Sequence, residues 1–123
     1  MEVRVDEQFP PSPGSVGRAR MLVRSAHRGV SSDSQEAVEL IVSELATNAV
    51  THAASPFTVR LIVGSTVRVE VADGSTDPPV LRRPSSWVAG GRGLVIVDEF
   101  ADRWGSYPVD DGKVVWAEVD NHP

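Results

Sequence analysis

The first half of the 123-residue chain carries two stretches in which apolar residues recur at three- and four-residue spacing. This spacing predicts two amphipathic helices, each with one face towards a core. The first should begin near Ser15, with a stripe of Val16, Ala19, Leu22, Val23 and Ala26. The second should run from Ser32 to about Ala53, with a stripe of Val38, Ile41, Val42, Leu45 and Ala49. Ser32 and Gln35 form a capping-box pattern at the start of this second helix.

Alternating apolar and polar residues predict strands in most of the remaining chain. Val3 and Val5 alternate with charged residues at the start, and residues 57–63 and 67–73 form two longer runs around the turn 64–66. In the second run three valines point one way, whereas Arg68 and Glu70 point the other, which is typical of an antiparallel sheet covered on one face. A short helix is expected from about Leu94 to Ala101, followed by a hairpin of "WGSYPV" and "KVVWAEV".

The order of these elements predicts the fold class. The strands follow one another in hairpins and do not alternate regularly with helices. We therefore expect an α+β fold, a two-layer sandwich of helices on one face of a mixed, mostly antiparallel sheet. The length of the chain predicts a single domain, residues 1–123.

Composition narrows the classes of function. The formal net charge of -5 argues against direct nucleic-acid binding as the main role and favours a protein partner or a small ligand. The absence of cysteine excludes disulfides, thiolate metal sites and a cysteine nucleophile. No apolar run has the length of a signal peptide or of a membrane span, so we expect a cytoplasmic protein without membrane contact.

Three short motifs could carry chemistry. Glu44 and Asn48 lie one helical turn apart on the flank of the second stripe, and Asp73-Gly74 ends a predicted strand. A glycine-rich entry to the last helix comprises Gly90, Gly91, Arg92, Gly93 and Leu94. Each motif alone has an ordinary explanation, namely hydrated side chains or a tight turn. Their order within about 50 residues is what raises their significance.

Taken together, these motifs resemble the ATP-binding superfamily of DNA gyrase, the heat-shock chaperones, the mismatch-repair ATPases and the sensor histidine kinases. Within it the chain is most similar to the bacterial anti-sigma-factor serine kinases, and the resemblance extends from the first helix through "KVVWAEV". It implies a Bergerat-type ATP-binding fold with Glu44 as the general base, Asn48 as the Mg²⁺ ligand and Asp73 as the residue that reads adenine. The nucleotide-binding residues it implies are Asn48, Asp73, Gly74, Gly90, Gly91, Arg92, Gly93 and Leu94.

Physical chemistry agrees with these implied roles. A strand-end carboxylate can accept a hydrogen bond from the exocyclic amine of adenine. Mg²⁺ keeps several waters and binds substrate phosphates, so that one amide oxygen from Asn48 is a sufficient anchor. Glycines before a helix allow a phosphate to approach the free N–H groups and the positive end of the helix dipole.

The chain also departs from the pattern of many relatives. Many relatives continue the strand-end motif as Asp-x-Gly-x-Gly, whereas this chain has Asp73-Gly74-Ser75-Thr76-Asp77, so the second glycine is missing. Thr51 stands where many relatives have a basic residue that touches phosphate. The cations that could replace it are Arg82, Arg83 and Arg92. His52 is interpreted as a packed core histidine.

Two functions from different classes therefore stay open. One is an anti-sigma factor that uses Mg-ATP to phosphorylate a serine or threonine of a small anti-sigma-factor antagonist. The other is a nucleotide-holding anti-sigma or partner-sequestering module without kinase activity, for which Glu44 is dispensable. The partners expected are a sigma factor, an antagonist protein or both, and a homodimer also stays open. Arg18, Arg20 and Arg24 are expected to be a solvated helix face, with partner docking as the alternative.

Overall fold

The computed structural model describes residues 3–26, 29–75 and 93–121. Within them the chain forms β1 (Val3–Phe9), α1 (Gly14–Ser25), α2 (Ser32–Asn48), β2 (Phe57–Val63), β3 (Thr66–Asp73), α3 (Gly93–Phe100), β4 (Arg103–Val109) and β5 (Gly112–Asp120). A π-helical segment, Ala49–Ala53, continues α2 without a break. The predicted order of elements is confirmed.

The five strands form one open sheet in the order β1-β2-β3-β5-β4. Every neighbouring pair is antiparallel, so the sheet of the described residues is purely antiparallel. The sequence predicted a mixed, mostly antiparallel sheet. The last hairpin turns at Asp110 and Asp111, since Val109 and Gly112 are partners in the ladder. Strand β5 lies beside β3, a pairing that no short-range pattern in the sequence indicates.

The helices cover one face of the sheet, and the core lies between the two layers. Helix α2 packs against both α1 and α3 and lies over β3 and β5. The apolar stripe predicted for α2 is buried throughout its length, as are the alternating positions of β2 and β3. The α+β two-layer architecture is thus confirmed. Its stability rests on the removal of this apolar surface from water.

The opposite face of the sheet carries a row of ion pairs. Arg68 contacts Glu70 at 2.8 Å and Glu118 at 3.0 Å, and its guanidinium lies 4.4 Å above the ring of Trp116. Arg103 donates to Glu118 at 3.0 Å, and this hydrogen bond lowers the pKa of the Glu118 carboxyl. The prediction that Arg68 and Glu70 face away from the core is confirmed.

The start of α2 differs from the prediction by one residue. Ser31, not Ser32, is the N-cap, and its hydroxyl accepts a hydrogen bond from the Ser34 N–H at 3.3 Å. The cap is shifted because distant residues hold it: the Ser31 N–H donates to Asn121 Oδ1, and the Ser34 hydroxyl donates to the Asp120 carbonyl. The prediction of a capping box formed by Ser32 and Gln35 is therefore wrong.

Candidate functional site

Glu44 and Asn48 lie in the last two turns of α2. Both side chains are partly exposed, and they flank the buried Leu45. The Asn48 Oδ1 atom is buried and has no hydrogen-bond partner among the described residues. Within the same residues, Glu44 makes no hydrogen bond or ion pair. Because a buried acceptor without a donor is costly, this amide oxygen is suited to a cation or a ligand from outside the chain.

The π-helical segment follows Asn48 directly. It spans Ala49–Ala53, and the next residue, Ala54, has a φ of 51°. Such segments are rare and are frequent at functional sites, and a positive φ costs energy for any residue with a Cβ. Thr51 and His52 are both exposed here. The prediction of a packed core histidine was therefore wrong, because each residue of a π-helix turns less about the axis, so that His52 does not fall beside the stripe of α2.

Asp73 ends β3 on the face that the helices cover, in the same alternation as the buried Val69 and Val71. Its side chain is only 5% exposed. Lys113 of β5 is its partner in the sheet register, and the ammonium nitrogen lies 3.1 Å from Oδ1 and 3.2 Å from Oδ2. The Ser75 N–H also donates to Oδ1 at 2.9 Å. Asp73 is thus a paired and oriented carboxylate.

Two glycines allow the backbone to come close around Asp73. A Cβ on Gly74 would lie 2.9 Å from the Ser55 hydroxyl oxygen, which accepts a hydrogen bond from the Gly74 N–H. A Cβ on Gly112 would collide with the Asp73 carbonyl group and the Gly74 backbone. Both glycines therefore serve close approach. They bring the end of β3, the start of β5 and the segment after the π-helix together.

The sequence reasoning missed Lys113 and Ser55. The sequence does contain a signal for Lys113, because this residue shares the two-residue spacing of Val115, Ala117 and Val119, which are buried. A charged residue at an inward position of a strand needs a partner. Ser55 had no such signal, because its contact depends on the path of the chain after Ala54.

The glycine-rich motif is only partly described. Helix α3 begins at Gly93, and the side chain of Leu94 is 3% exposed in the core, so only the backbone of Leu94 remains for a ligand. Gly90, Gly91 and Arg92 lie outside the described residues, as do Arg82 and Arg83. No acidic residue occupies the first turn of α3, which leaves its positive end without an intrahelical counter-charge.

A metal cage formed by side chains alone is not found in the described parts of the chain, which contain no group of three or more His, Asp or Glu arranged for a metal. The donor set does fit Mg²⁺ in the mode in which one or two protein oxygens and substrate phosphates share the coordination. The buried Asn48 Oδ1 is an oxygen of the kind that this mode uses.

The arginines of α1 are engaged with their surroundings and line a shallow groove with Gly14, Gly17 and Met21. Arg24 donates two hydrogen bonds to Glu39 of α2 and lowers the pKa of that carboxyl. Arg20 reaches the hydroxyl of Ser43 at 3.4 Å. Their solvated positions agree with the expectation from the sequence, and their contacts also join α1 to α2.

Comparisons with known proteins add three findings. A family model described as a histidine kinase-like ATPase domain matches residues 9–119. A crystal structure of the RsbU and RsbW domains of Rv1364c from Mycobacterium tuberculosis matches the fold with a TM-score of 0.76 and 15% sequence identity over 98% of this chain. This chain covers 33% of that longer one, and at this identity the likeness shows the fold alone. A comparison with curated proteins gave no match.

Proposed function

The chain belongs to the family of histidine kinase-like ATPase domains, and from this we propose that it is a Mg-ATP-binding regulatory protein with serine/threonine kinase activity towards a small anti-sigma-factor antagonist. The observation that carries the proposal is the buried Asn48 Oδ1, which has no partner in the described part of the chain and lies one turn after Glu44. An acceptor left in this state is expected where a ligand completes the structure.

In this proposal Asp73 and Gly74 bind the base of the nucleotide, and residues 90–94 border its phosphates. Asn48 holds Mg²⁺ through its amide oxygen. When bound, the cation neutralises charge on the phosphates during phosphoryl transfer. Asp73 is held for its role by the Ser75 N–H and Lys113, which fix the orientation of its carboxylate.

Glu44 is the proposed general base. A carboxylate can orient an incoming hydroxyl and take its proton as the phosphoryl group moves. The absence of a hydrogen bond or ion pair to Glu44 within the described ranges supports this role, since an already paired carboxylate would be a poorer acceptor. The attacking hydroxyl belongs to a serine or threonine of the partner protein.

The second candidate is a clamp that holds nucleotide and sequesters its partner without phosphorylating it. Thr51 favours this candidate, because it is an exposed, neutral residue where many relatives have a cation for phosphate. Both candidates place the protein in the cytoplasm with a sigma factor, an antagonist or both as partners. No helix in the described ranges is long and apolar enough to cross a membrane.

The proposal is tested by incubating the protein with Mg-ATP and candidate antagonists from the same genome, followed by intact mass measurement. We expect one antagonist to gain the mass of a phosphoryl group. Glu44→Gln should bind Mg-ATP as the parent does, while the phosphorylation rate falls by about 10²-fold or more, the usual scale for a positioned base.

The outcomes separate the two candidates. Binding of Mg-ATP with no mass gain on any antagonist would favour the clamp. Equal phosphorylation by the parent and by Glu44→Gln would show that Glu44 is not the base. Absence of Mg-ATP binding by the folded protein would overturn the proposal as a whole.

A further inference from the structure

The carboxylate of Asp73 and the ammonium of Lys113 form a buried ion pair at the end of β3. Their side chains are 5% and 13% exposed, and the nitrogen lies within 3.2 Å of both carboxylate oxygens. Breaking a buried pair leaves an uncompensated charge, so the two groups are expected to stay together. A purine bound at this strand end therefore meets a cation as well as an anion.

The pair has hydrogen-bonding capacity to spare. A carboxylate has about four acceptor positions. On Asp73, Oδ1 accepts from Ser75 and Lys113, while Oδ2 accepts only from Lys113 in the described part of the chain. The ammonium has three N–H groups, and the carboxylate oxygens are its only acceptors among the described residues. One acceptor position of the carboxylate and one N–H of the ammonium thus remain unused by the described residues.

This combination matches the edges of two classes of purine. Adenine presents an amine donor at position 6 beside the acceptor N1, which fits the carboxylate and the ammonium. A 6-oxopurine, such as guanine or hypoxanthine, presents an acceptor oxygen beside an N1–H donor. That edge also fits if the ammonium donates to the 6-oxygen and the carboxylate accepts from N1–H, so that each group faces the purine position that the other faces in adenine. A carboxylate alone would face the 6-oxygen with another acceptor.

We propose that Lys113 is a specificity-determining residue, which allows the site to bind 6-oxopurine nucleotides as well as ATP. This inference rests on the proposed nucleotide-binding function and extends it to a wider class of substrate. The geometry that supports it is the direct pairing of Lys113 with Asp73 across β3 and β5. The close approach of Gly112 to the Asp73 carbonyl keeps this register.

The first test is calorimetry of the full chain with ATP, ITP, GTP and purine riboside triphosphate, which has no group at position 6, each with Mg²⁺. ITP is the most direct comparison, because it differs from ATP only at position 6 and at the N1 proton. We expect ITP and GTP to bind within about tenfold of ATP, and purine riboside triphosphate to bind more than about tenfold more weakly.

Any other result of the calorimetry overturns the inference on Lys113. If ATP binds but ITP and GTP are weaker by more than about tenfold, the inference on Lys113 is overturned while the proposed nucleotide binding stands. If purine riboside triphosphate binds as well as ATP, position 6 is not read and the inference also fails. If no nucleotide binds, both proposals fail together.

The second test compares Lys113→Met with Lys113→Gln. The two side chains have the same length and lack the charge, so they leave Asp73 equally uncompensated, but only Gln retains an N–H donor. We expect Lys113→Met to lower the affinity for ITP relative to ATP by about tenfold, and Lys113→Gln to preserve the parent ratio within about threefold. Equal ratios in both variants would contradict the role of the donor. If neither variant folds, the nucleotide series on the parent decides the question.

Discussion

Because the buried Asn48 Oδ1 has no hydrogen-bond partner among the described residues, we expect that replacing Asn48 stabilises the nucleotide-free protein. Replacing Asn48 with Ala removes a buried acceptor that has no partner in the described part of the chain. An unsatisfied buried polar group costs about 1–3 kcal/mol, and Ala is also the better helix former by up to about 0.7 kcal/mol. Because the residue is partly exposed, little packing is lost. We expect the free energy of unfolding to rise by about 1–2 kcal/mol.

This change is large enough for thermal unfolding to detect. An unfolding entropy of about 2.1 cal/mol/K per residue amounts to about 0.26 kcal/mol/K for 123 residues. The expected increase in Tm without nucleotide is therefore about 4–8 °C. The same variant should lose the Mg²⁺-dependent part of ATP binding, so that the Kd values in Mg²⁺ and in EDTA become equal.

Thr47→Ala is the matched control. It lies one residue earlier and makes a similar gain in helix propensity, but its hydroxyl already donates to the Ser43 carbonyl at 2.7 Å. We expect it to keep Mg-ATP binding and to lack most of the stabilisation. If Asn48→Ala instead lowers the free energy of unfolding by more than about 1 kcal/mol, Asn48 has a structural partner and the reasoning is refuted.

Three further predictions concern stability. Asn121→Ala should lower the free energy of unfolding by about 1–3 kcal/mol in urea titrations, because Asn121 accepts from the Ser31 N–H and donates to the carbonyls of residues 29 and 64. A loss below about 0.5 kcal/mol would show that these hydrogen bonds add little. Ala54→Gly should be neutral or stabilising by up to about 1 kcal/mol, because glycine adopts a φ of 51° without strain, and a clear fall in Tm would contradict this. The hydrogen bond from Arg103 lowers the pKa of the Glu118 carboxyl in the folded protein. The contribution of this carboxylate to stability should therefore be present above the ordinary pKa of 4.5 and be lost as the pH falls through the lowered folded pKa. Urea unfolding of Glu118→Gln should differ from the parent near neutral pH and converge with it in acid.

The sequence by itself determined the features that depend on short-range patterns. The three- and four-residue spacing of α2 and the alternation of β2 and β3 are local, and burial followed them almost residue by residue. The motif that pairs Glu44 with Asn48 was also readable, because one helical turn places them on the same flank. These features suffice for the fold class, and the family match agrees with them.

Only the tertiary structure decided which distant residues meet. The pairing of β5 with β3 places Lys113 opposite Asp73, 40 positions away in the chain, and no local pattern encodes this register. Asn121 holds the N-cap at Ser31 from 90 positions away, which is why the cap was misplaced by one residue. Periodicity reports the face on which a side chain lies, but the pairing of its polar atoms depends on contacts formed when the sheet and the helices pack together.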